Sequence, residues 1–341
     1  MNILRWLLST QLKPSHKQNK NSGFTLIELL VAMLIAFLVI TPLLSFMISI
    51  LNTDSQEQAK ANSEQEIKAA LDYITRDLQQ AIYIYDATGI ACLSGTVDTS
   101  TANTCPNAST TGNQLPTTTD RVPVLVFWKR ELVNQAITIP SVAEKDDTFV
   151  YSLVAYYLIK DTSTTWSNTA RIARWEIKDG VPNTAATVGA CGNGFTTEKY
   201  LPCPNKGFKP FDLSQKGITL QAKMNSWTNS LVSGDSYGQV PVVLVDFIDQ
   251  TTIAQGAPAA TCSTNFSQVP VAATSVRTGF YACINSVSTD NRSAAEIYLR
   301  GNAQARLIQN DETKVRYAQS KSSYFPSANI KVQGSSFIFT K

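Results

Sequence analysis

The chain has 341 residues, 43% of them hydrophobic and 16% charged, which is an ordinary balance for a globular protein. Its net charge of +3 is due to the first 23 residues, which hold four basic residues and no acidic one; the other residues carry 25 basic and 26 acidic side chains. That balance argues against nucleic acid as a partner. The only histidine, His16, lies in the same segment, so the rest of the chain lacks the histidine of a Ser-His-Asp triad, a Cys-His dyad or a His-ligated zinc site. We therefore expect no catalytic residue, no cofactor and no metal.

A long apolar segment follows the basic one. Residues 24–51 contain a single charge, Glu28, and as a helix they run about 42 Å, enough to cross a hydrocarbon core of about 30 Å. Basic residues precede this segment, and Asp54 and Glu57 follow it. The positive-inside rule then predicts a single-pass protein of the plasma (inner) membrane, with its N-terminus in the cytoplasm and the remaining chain on the periplasmic side.

Two residues interrupt the apolar character of this predicted span. A carboxylate at the centre of a spanning helix costs about 2.5–3.5 kcal/mol on insertion scales, so Glu28 is expected either to have a partner or to be neutralised by protonation. Pro42 removes one backbone donor, which neighbouring helices tolerate in membranes. We expect it to kink or locally melt the helix, or to produce a harmless kink.

The helix is expected to continue beyond the membrane as an amphipathic segment, residues 52–88. One apolar stripe recurs at steps of three and four residues: Ile67, Leu71, Ile74, Leu78, Ala81/Ile82 and Tyr85. The turns from Ser55 to Glu66 lack such a stripe and are predicted to face solvent or other subunits. Gly89 is the expected end of the helix.

The remainder, residues 89–341, reads as a β-rich globular head. Seven segments have the alternation and the composition of strands: Val122–Trp128, Phe149–Lys160, Arg171–Lys178, Ile218–Met224, Val240–Ile248, Thr278–Ile284 and Glu296–Gly301. No helical pattern alternates with them, which favours an antiparallel sheet. The predicted fold class is α+β, a long N-terminal helix packed on an antiparallel β-sheet head.

All six cysteines lie beyond the apolar segment, which predicts disulfides in an oxidising compartment. Fifteen pairings are possible, and the sequence groups the cysteines as neighbours: Cys92 with Cys105, Cys191 with Cys203, and Cys262 with Cys283. The Cys-x-x-Cys spacing typical of structural zinc sites does not occur.

The run Gly23-Phe24-Thr25-Leu26-Ile27-Glu28, set directly against a spanning helix, resembles the prepilin motif of type IV pilins. The resemblance implies cleavage between Gly23 and Phe24 by prepilin peptidase, removal of residues 1–23 as a leader, and N-methylation of Phe24. It also implies that Glu28 pairs with the freed amine of Phe24 on a neighbouring subunit. The implied partners are other pilin or pseudopilin subunits, the inner-membrane assembly platform and the membrane itself.

The helix resembles a narrower group, the minor pilins and pseudopilins of the PilW-like type and the J pseudopilin of type II secretion. The runs Ser63–Ile67, Ala70–Ile74 and Arg76–Ala81 are similar to the hormogonium polysaccharide secretion pseudopilin of filamentous cyanobacteria, as are Tyr156–Leu158 and Arg174-Trp175. The resemblance implies a subunit that initiates, caps or builds a short filament for polysaccharide export or gliding motility. The 23-residue leader and the head of about 250 residues depart from the major pilins, which favours a rare tip or initiating subunit.

Other functions stay open at this point. An adhesive tip would bind glycans or surfaces, with Trp166, Trp175 and Trp227 as a sugar platform, although isolated tryptophans in β proteins are more often core. An enzyme would need paired carboxylates, for which Asp146-Asp147, or Asp246 with Asp249, are candidates. Calcium binding by the head is a further alternative, but no loop has a recognisable spacing of oxygen ligands.

Overall fold

The computed structural model of the protein describes residues 23, 25–96, 105, 113–139, 144–183, 186–192, 195, 197–214, 219–232, 234–286, 293–308 and 311–334. The chain divides into two compact units, Met1–Asp54 and Ser55–Lys341. Helix α1 (Leu26–Gln79) begins in the first unit and ends in the second. Most of the predicted leader, and Phe24 itself, lie outside the described residues.

In the first unit α1 is unbroken across Pro42. Proline lacks the N–H that would bond the carbonyl of Leu38. One residue earlier, the Thr41 hydroxyl donates to the carbonyl of Phe37 (2.8 Å). The helix therefore does not melt at Pro42, and the kink stays a prediction.

In the second unit the apolar stripe of α1 faces the head. Ile67, Leu71, Ile74 and Leu78 are buried, as their spacing predicts. The prediction that Ser55–Glu66 stands free of the head is wrong, because Ala59 and Ser63 are buried too. Both side chains are small, so they continue the contact without adding to the pattern of large apolar residues.

The helix ends ten residues earlier than the sequence predicts. Strand β1 (Ala81–Ile84) follows α1 directly, and all four of its residues are buried. Gly89 does not end α1; it lies in the short helix α2 (Ala87–Leu93), whose N-cap Asp86 accepts a hydrogen bond from the Gly89 N–H (2.8 Å). A short β-branched and aromatic run buried on both faces has no period that distinguishes a strand from a helix.

Two antiparallel sheets form the head. The first has the order β1-β2-β3-β4-β5, in which β2 is Arg121–Thr138, β3 is Lys145–Ile159, β4 is Ala170–Lys178 and β5 is Val242–Ile248. The second has the order β6-β7-β8-β9, in which β6 is Ser267–Val269, β7 is Phe280–Asn285, β8 is Ala294–Arg300 and β9 is Ser327–Gln333. Every strand pairing among the described residues is antiparallel. The predicted α+β class is confirmed.

Short helices complete the head: α3 (Leu220–Asn225), α4 (Gln304–Leu307) and two 3-10 turns, Ile253–Gln255 and Gln319–Tyr324. The predicted strand Ile218–Met224 is wrong, since its described part lies in α3. The Thr219 side chain caps that helix by accepting from the Ala222 N–H (3.2 Å), and Leu, Gln, Ala, Lys and Met, which follow, are good helix formers. None of the seven predicted strands corresponds to β1, β6 or β9.

The core is shared by the end of α1 and both sheets, with Trp128, Trp175 and Tyr156 among its largest side chains. Three disulfides cross-link the loops around the core: Cys92–Cys105, Cys191–Cys203 and Cys262–Cys283. In each of them the two Cα atoms are 5.5 Å apart. Each disulfide joins two cysteines that are neighbours in the order of cysteines along the chain, which is the grouping that the sequence suggests.

Candidate functional site

The start of α1 is the first candidate site. Thr25 precedes the first helical residue, and its hydroxyl accepts a hydrogen bond from the backbone N–H of Glu28 (3.3 Å), as an N-cap residue does. Gly23 and Glu28 are both exposed, and Phe24 lies outside the described residues. The helix thus begins within two residues of the predicted cut, and Glu28 lies in its first turn.

The apolar surface of α1 is the second feature of this region. Each described residue from Thr25 to Ser55 is exposed. Among the described residues α1 is the one helix that is long and apolar enough to cross a membrane, by length and composition alone. Within this segment Glu28 is the one charged residue before Asp54.

A buried ionic cluster fixes the other end of α1 to the head. Asp77, in the last turn of the helix, accepts hydrogen bonds from Lys129 (3.1 Å), Tyr156 (2.8 Å) and Arg174 (2.7 and 3.2 Å). Glu176 binds the same two cations, at 3.0 Å from Lys129 and 2.9 Å from Arg174. Three strands of the first sheet therefore converge on one helical carboxylate.

The charges of this cluster shift one another's pKa values. Burial raises the pKa of Asp77, but the hydrogen bonds and charge of Arg174, with help from Lys129 and Tyr156, outweigh burial and leave the pKa below its ordinary value. Glu176 follows the same pattern, with burial opposed by Arg174 and Lys129. Both acids are therefore ionised at neutral pH, and the cluster is a structural ion-pair network.

Sequence reasoning missed the role of Asp77. The available signal was its position: it lies three residues after Ile74 and next to Leu78, on the buried face of the helix. A charge on that face needs a partner of opposite sign. Which residues supply it depends on strand register, which the sequence does not give.

A second group of contacts joins the head to an earlier part of α1, at the start of the second unit. Tyr324 donates to Gln56 (2.7 Å), and the Lys60 ammonium lies 4.7 Å from the centre of the Tyr324 ring. Arg306 pairs with Glu66. The part of α1 from Gln56 to Asp77 is therefore held along its length by the head.

The three tryptophans of the predicted sugar platform do not lie on one surface. Trp175 and Trp227 are buried, and their indole N–H groups donate to the carbonyls of Gln239 (3.1 Å) and Lys209 (2.7 Å). Only Trp166 of the three is exposed, at 41%. The three-tryptophan platform is therefore wrong, and two of its members belong to the core.

The paired carboxylates also have structural partners. Asp147 accepts from the backbone N–H of Gln135 (2.8 Å), and Asp249 is fully buried and binds Arg300 (2.8 Å). Asp246 is hydrogen-bonded to Ser167. Across the described residues, no group of three or more His, Cys, Asp or Glu side chains is placed to hold a metal ion.

Comparison with known proteins agrees with the geometry at the N-terminus. Residues 18–44 match the family described as the prokaryotic N-terminal methylation motif, so the chain carries a type IV pilin-type prepilin signal followed by a long apolar helix. No curated protein and no solved structure matches the chain. The methylation motif implies processing by prepilin peptidase and assembly with other pilins in the membrane, and the chain is type IV pilin-like.

Proposed function

We propose that this protein is a minor pilin or pseudopilin that initiates, caps or builds a short filament at the inner membrane. It acts by assembly and has no catalytic role. The observation that carries the proposal is the position of Glu28: a lone charge in an apolar helix, at the fifth residue after the predicted cut of a prepilin motif.

The energetics of Glu28 favour a partner from another subunit. Within hydrocarbon the carboxylate costs about 2.5–3.5 kcal/mol, and an ammonium group at the same depth offsets that cost. Cleavage after Gly23 creates such an amine on Phe24, at the start of the same apolar segment. A pair between Glu28 and the Phe24 amine of a neighbour would favour leaving the bilayer for the filament and would set the helix register.

The head is suited to a rare position in such a filament. Its contacts with α1 run from Gln56 to Asp77 and include a buried ionic cluster, so a force on this part of the stem reaches the head directly. A head of about 250 residues is large compared with a major pilin, which favours a tip or an initiating subunit.

The exported material is the more specific part of the proposal. The resemblance of the helix segments Ser63–Ile67 and Arg76–Ala81 to the hormogonium pseudopilin favours polysaccharide export or gliding motility. A type II secretion pseudopilin and an adhesive tip are the alternatives. The implied partners are prepilin peptidase, other pseudopilins and the inner-membrane assembly platform, with the head on the periplasmic side or in an extracellular filament.

Deletion of the gene separates these roles. Under the proposal, loss of the protein abolishes both filament assembly and polysaccharide export, and re-expression of the wild-type chain restores both. If filaments still form and only attachment to surfaces fails, the adhesive-tip alternative is correct. If export of folded proteins fails while polysaccharide export continues, the chain serves type II secretion.

A further inference from the structure

We propose that the head has a binding site for a neutral saccharide, formed by the exposed Trp166 and the cavity beside it. The cavity has a volume of about 340 Å³, which falls in the range of small-molecule sites. One wall is the loop between β3 and β4. The cavity is also lined by Ala305 of α4, by residues that follow α4, and by Phe247 of β5.

The loop that carries Trp166 is rigidly held. At its ends Arg171 binds both oxygens of Asp161 (2.7 and 2.6 Å). In its middle, Asp246 of β5 accepts from the backbone N–H and from the hydroxyl of Ser167, both at 2.8 Å. The Ser163 hydroxyl accepts from the backbone N–H of Trp166 (3.2 Å). An exposed indole on a fixed backbone is a preorganised binding surface, because little conformational entropy is lost when a ligand docks.

The backbone is strained at Phe247, one of the residues that line the cavity. Phe247 has φ of +56°, a left-handed conformation that bulky residues rarely adopt. Its carbonyl accepts a short bond from the Asn302 N–H (2.7 Å), and the Arg306 guanidinium lies 4.2 Å from the centre of its ring. Strained backbone that is held by its surroundings occurs preferentially at ligand sites.

The polar groups around the indole suit sugar hydroxyls. Four hydroxyl residues and two acids line the cavity: Ser163, Thr164, Ser167, Thr169, Asp311 and Glu312. Hydrogen bonds from Thr313 and Lys314 hold the pKa of Asp311 well below its ordinary value, so its carboxylate stays ionised. An aromatic face that packs on C–H groups, next to fixed acceptors for hydroxyl protons, is the chemistry that recognises a pyranose ring.

The charge balance of the cavity favours a neutral ligand over a cation. Each carboxylate already has its own ammonium partner, Lys160 for Glu312 (2.6 Å) and Lys314 for Asp311 (3.0 Å). A paired carboxylate still accepts hydrogen bonds from hydroxyls, but it offers less attraction to an added positive charge. Each ion pair has a net charge of zero, so it gives an acidic sugar no attraction either.

The test is ligand-observed saturation-transfer NMR on the full mature chain, in a zwitterionic detergent that has no sugar headgroup. The probes are maltotetraose, cellotetraose and xylotetraose, with tetramethylammonium as the cationic probe. We expect the wild type to bind at least one tetrasaccharide and to leave tetramethylammonium unbound. Trp166→Ala should weaken saccharide binding at least about tenfold, and Trp166→Phe should retain most of it.

Phe149→Ala is the matched control, because Phe149 is a similarly exposed aromatic residue (50%) outside the cavity, and it should bind like the wild type. Failure of the wild type to bind any of the three tetrasaccharides overturns the proposal. So does equal binding by wild type and Trp166→Ala, or binding of tetramethylammonium in place of the sugars. Trp166→Ala should be processed and assembled normally, so failure of this proposal leaves the assembly function untouched.

Discussion

Asp77 and Arg174 bind each other through two hydrogen bonds across the contact between α1 and the first sheet. Nε of Arg174 lies 2.7 Å from Oδ2 of Asp77, and Nη2 lies 3.2 Å from Oδ1. Both side chains are largely buried. This pair, with Lys129 and Glu176, joins the end of the stem to the head.

Asp77→Asn should destabilise the second unit by about 3 kcal/mol, because it leaves two buried cations, Lys129 and Arg174, with Glu176 as their shared buried carboxylate. Glu64→Gln is the control: Glu64 is an exposed acid on the same helix, paired with Lys68, and its loss should cost under about 1 kcal/mol. Urea unfolding of the full chain in detergent micelles, followed by circular dichroism, measures both. Equal midpoints for the two variants would show that the cluster contributes little.

The same cluster predicts how stability depends on pH. Asp77 and Glu176 have pKa values below their ordinary 3.8 and 4.5, so their contribution is fully present above about pH 4.5 and is lost as the pH falls through the folded-state values. The free energy of unfolding should therefore drop below about pH 4. In Asp77→Asn the drop should be shallower, since one titrating group is gone. A drop of the same steepness in both proteins contradicts this assignment.

Gly301, directly after β8, packs closely against α1. A Cβ atom at this position would lie 2.6 Å from Cδ1 of Ile67 and 2.6 Å from the Ser63 hydroxyl. Gly301→Ala should therefore cost about 1–3 kcal/mol through overpacking. Gly238→Ala is the control, because its added Cβ meets its nearest atom at 3.8 Å. Adding Ser63→Ala to Gly301→Ala should recover part of the loss, and strict additivity of the two changes would exclude the clash with the Ser63 hydroxyl as a cause.

Gly23→Arg should block cleavage and leave a precursor that keeps its basic leader. Mass spectrometry of the purified protein gives the N-terminus directly, and the precursor should also lack N-methylation at Phe24. Asn21→Arg adds the same charge two residues upstream and should be cut like the wild type. Normal processing of Gly23→Arg would place the cleavage elsewhere.

The sequence predicted the parts of this protein that depend on local patterns. The stripe from Ile67 to Leu78, the strands β3 and β4 and the antiparallel head follow from periodicity and composition. The end of α1 did not follow, since Ala81–Ile84 carries the same apolar character on a helix or a strand. The role of Asp77 did not follow either, because it depends on which strands become neighbours. The sequence singled out Trp166, but grouped it with two tryptophans that belong to the core.

Glu28→Ala tests whether Glu28 joins the subunit to its neighbours. The variant should be processed and inserted into the membrane, yet it should not cross-link to or co-purify with the other pilin-like subunits. Glu57→Ala removes an exposed acid of the same helix outside the apolar segment and should assemble normally. Incorporation of Glu28→Ala at the wild-type level would show that Glu28 does not join the subunits.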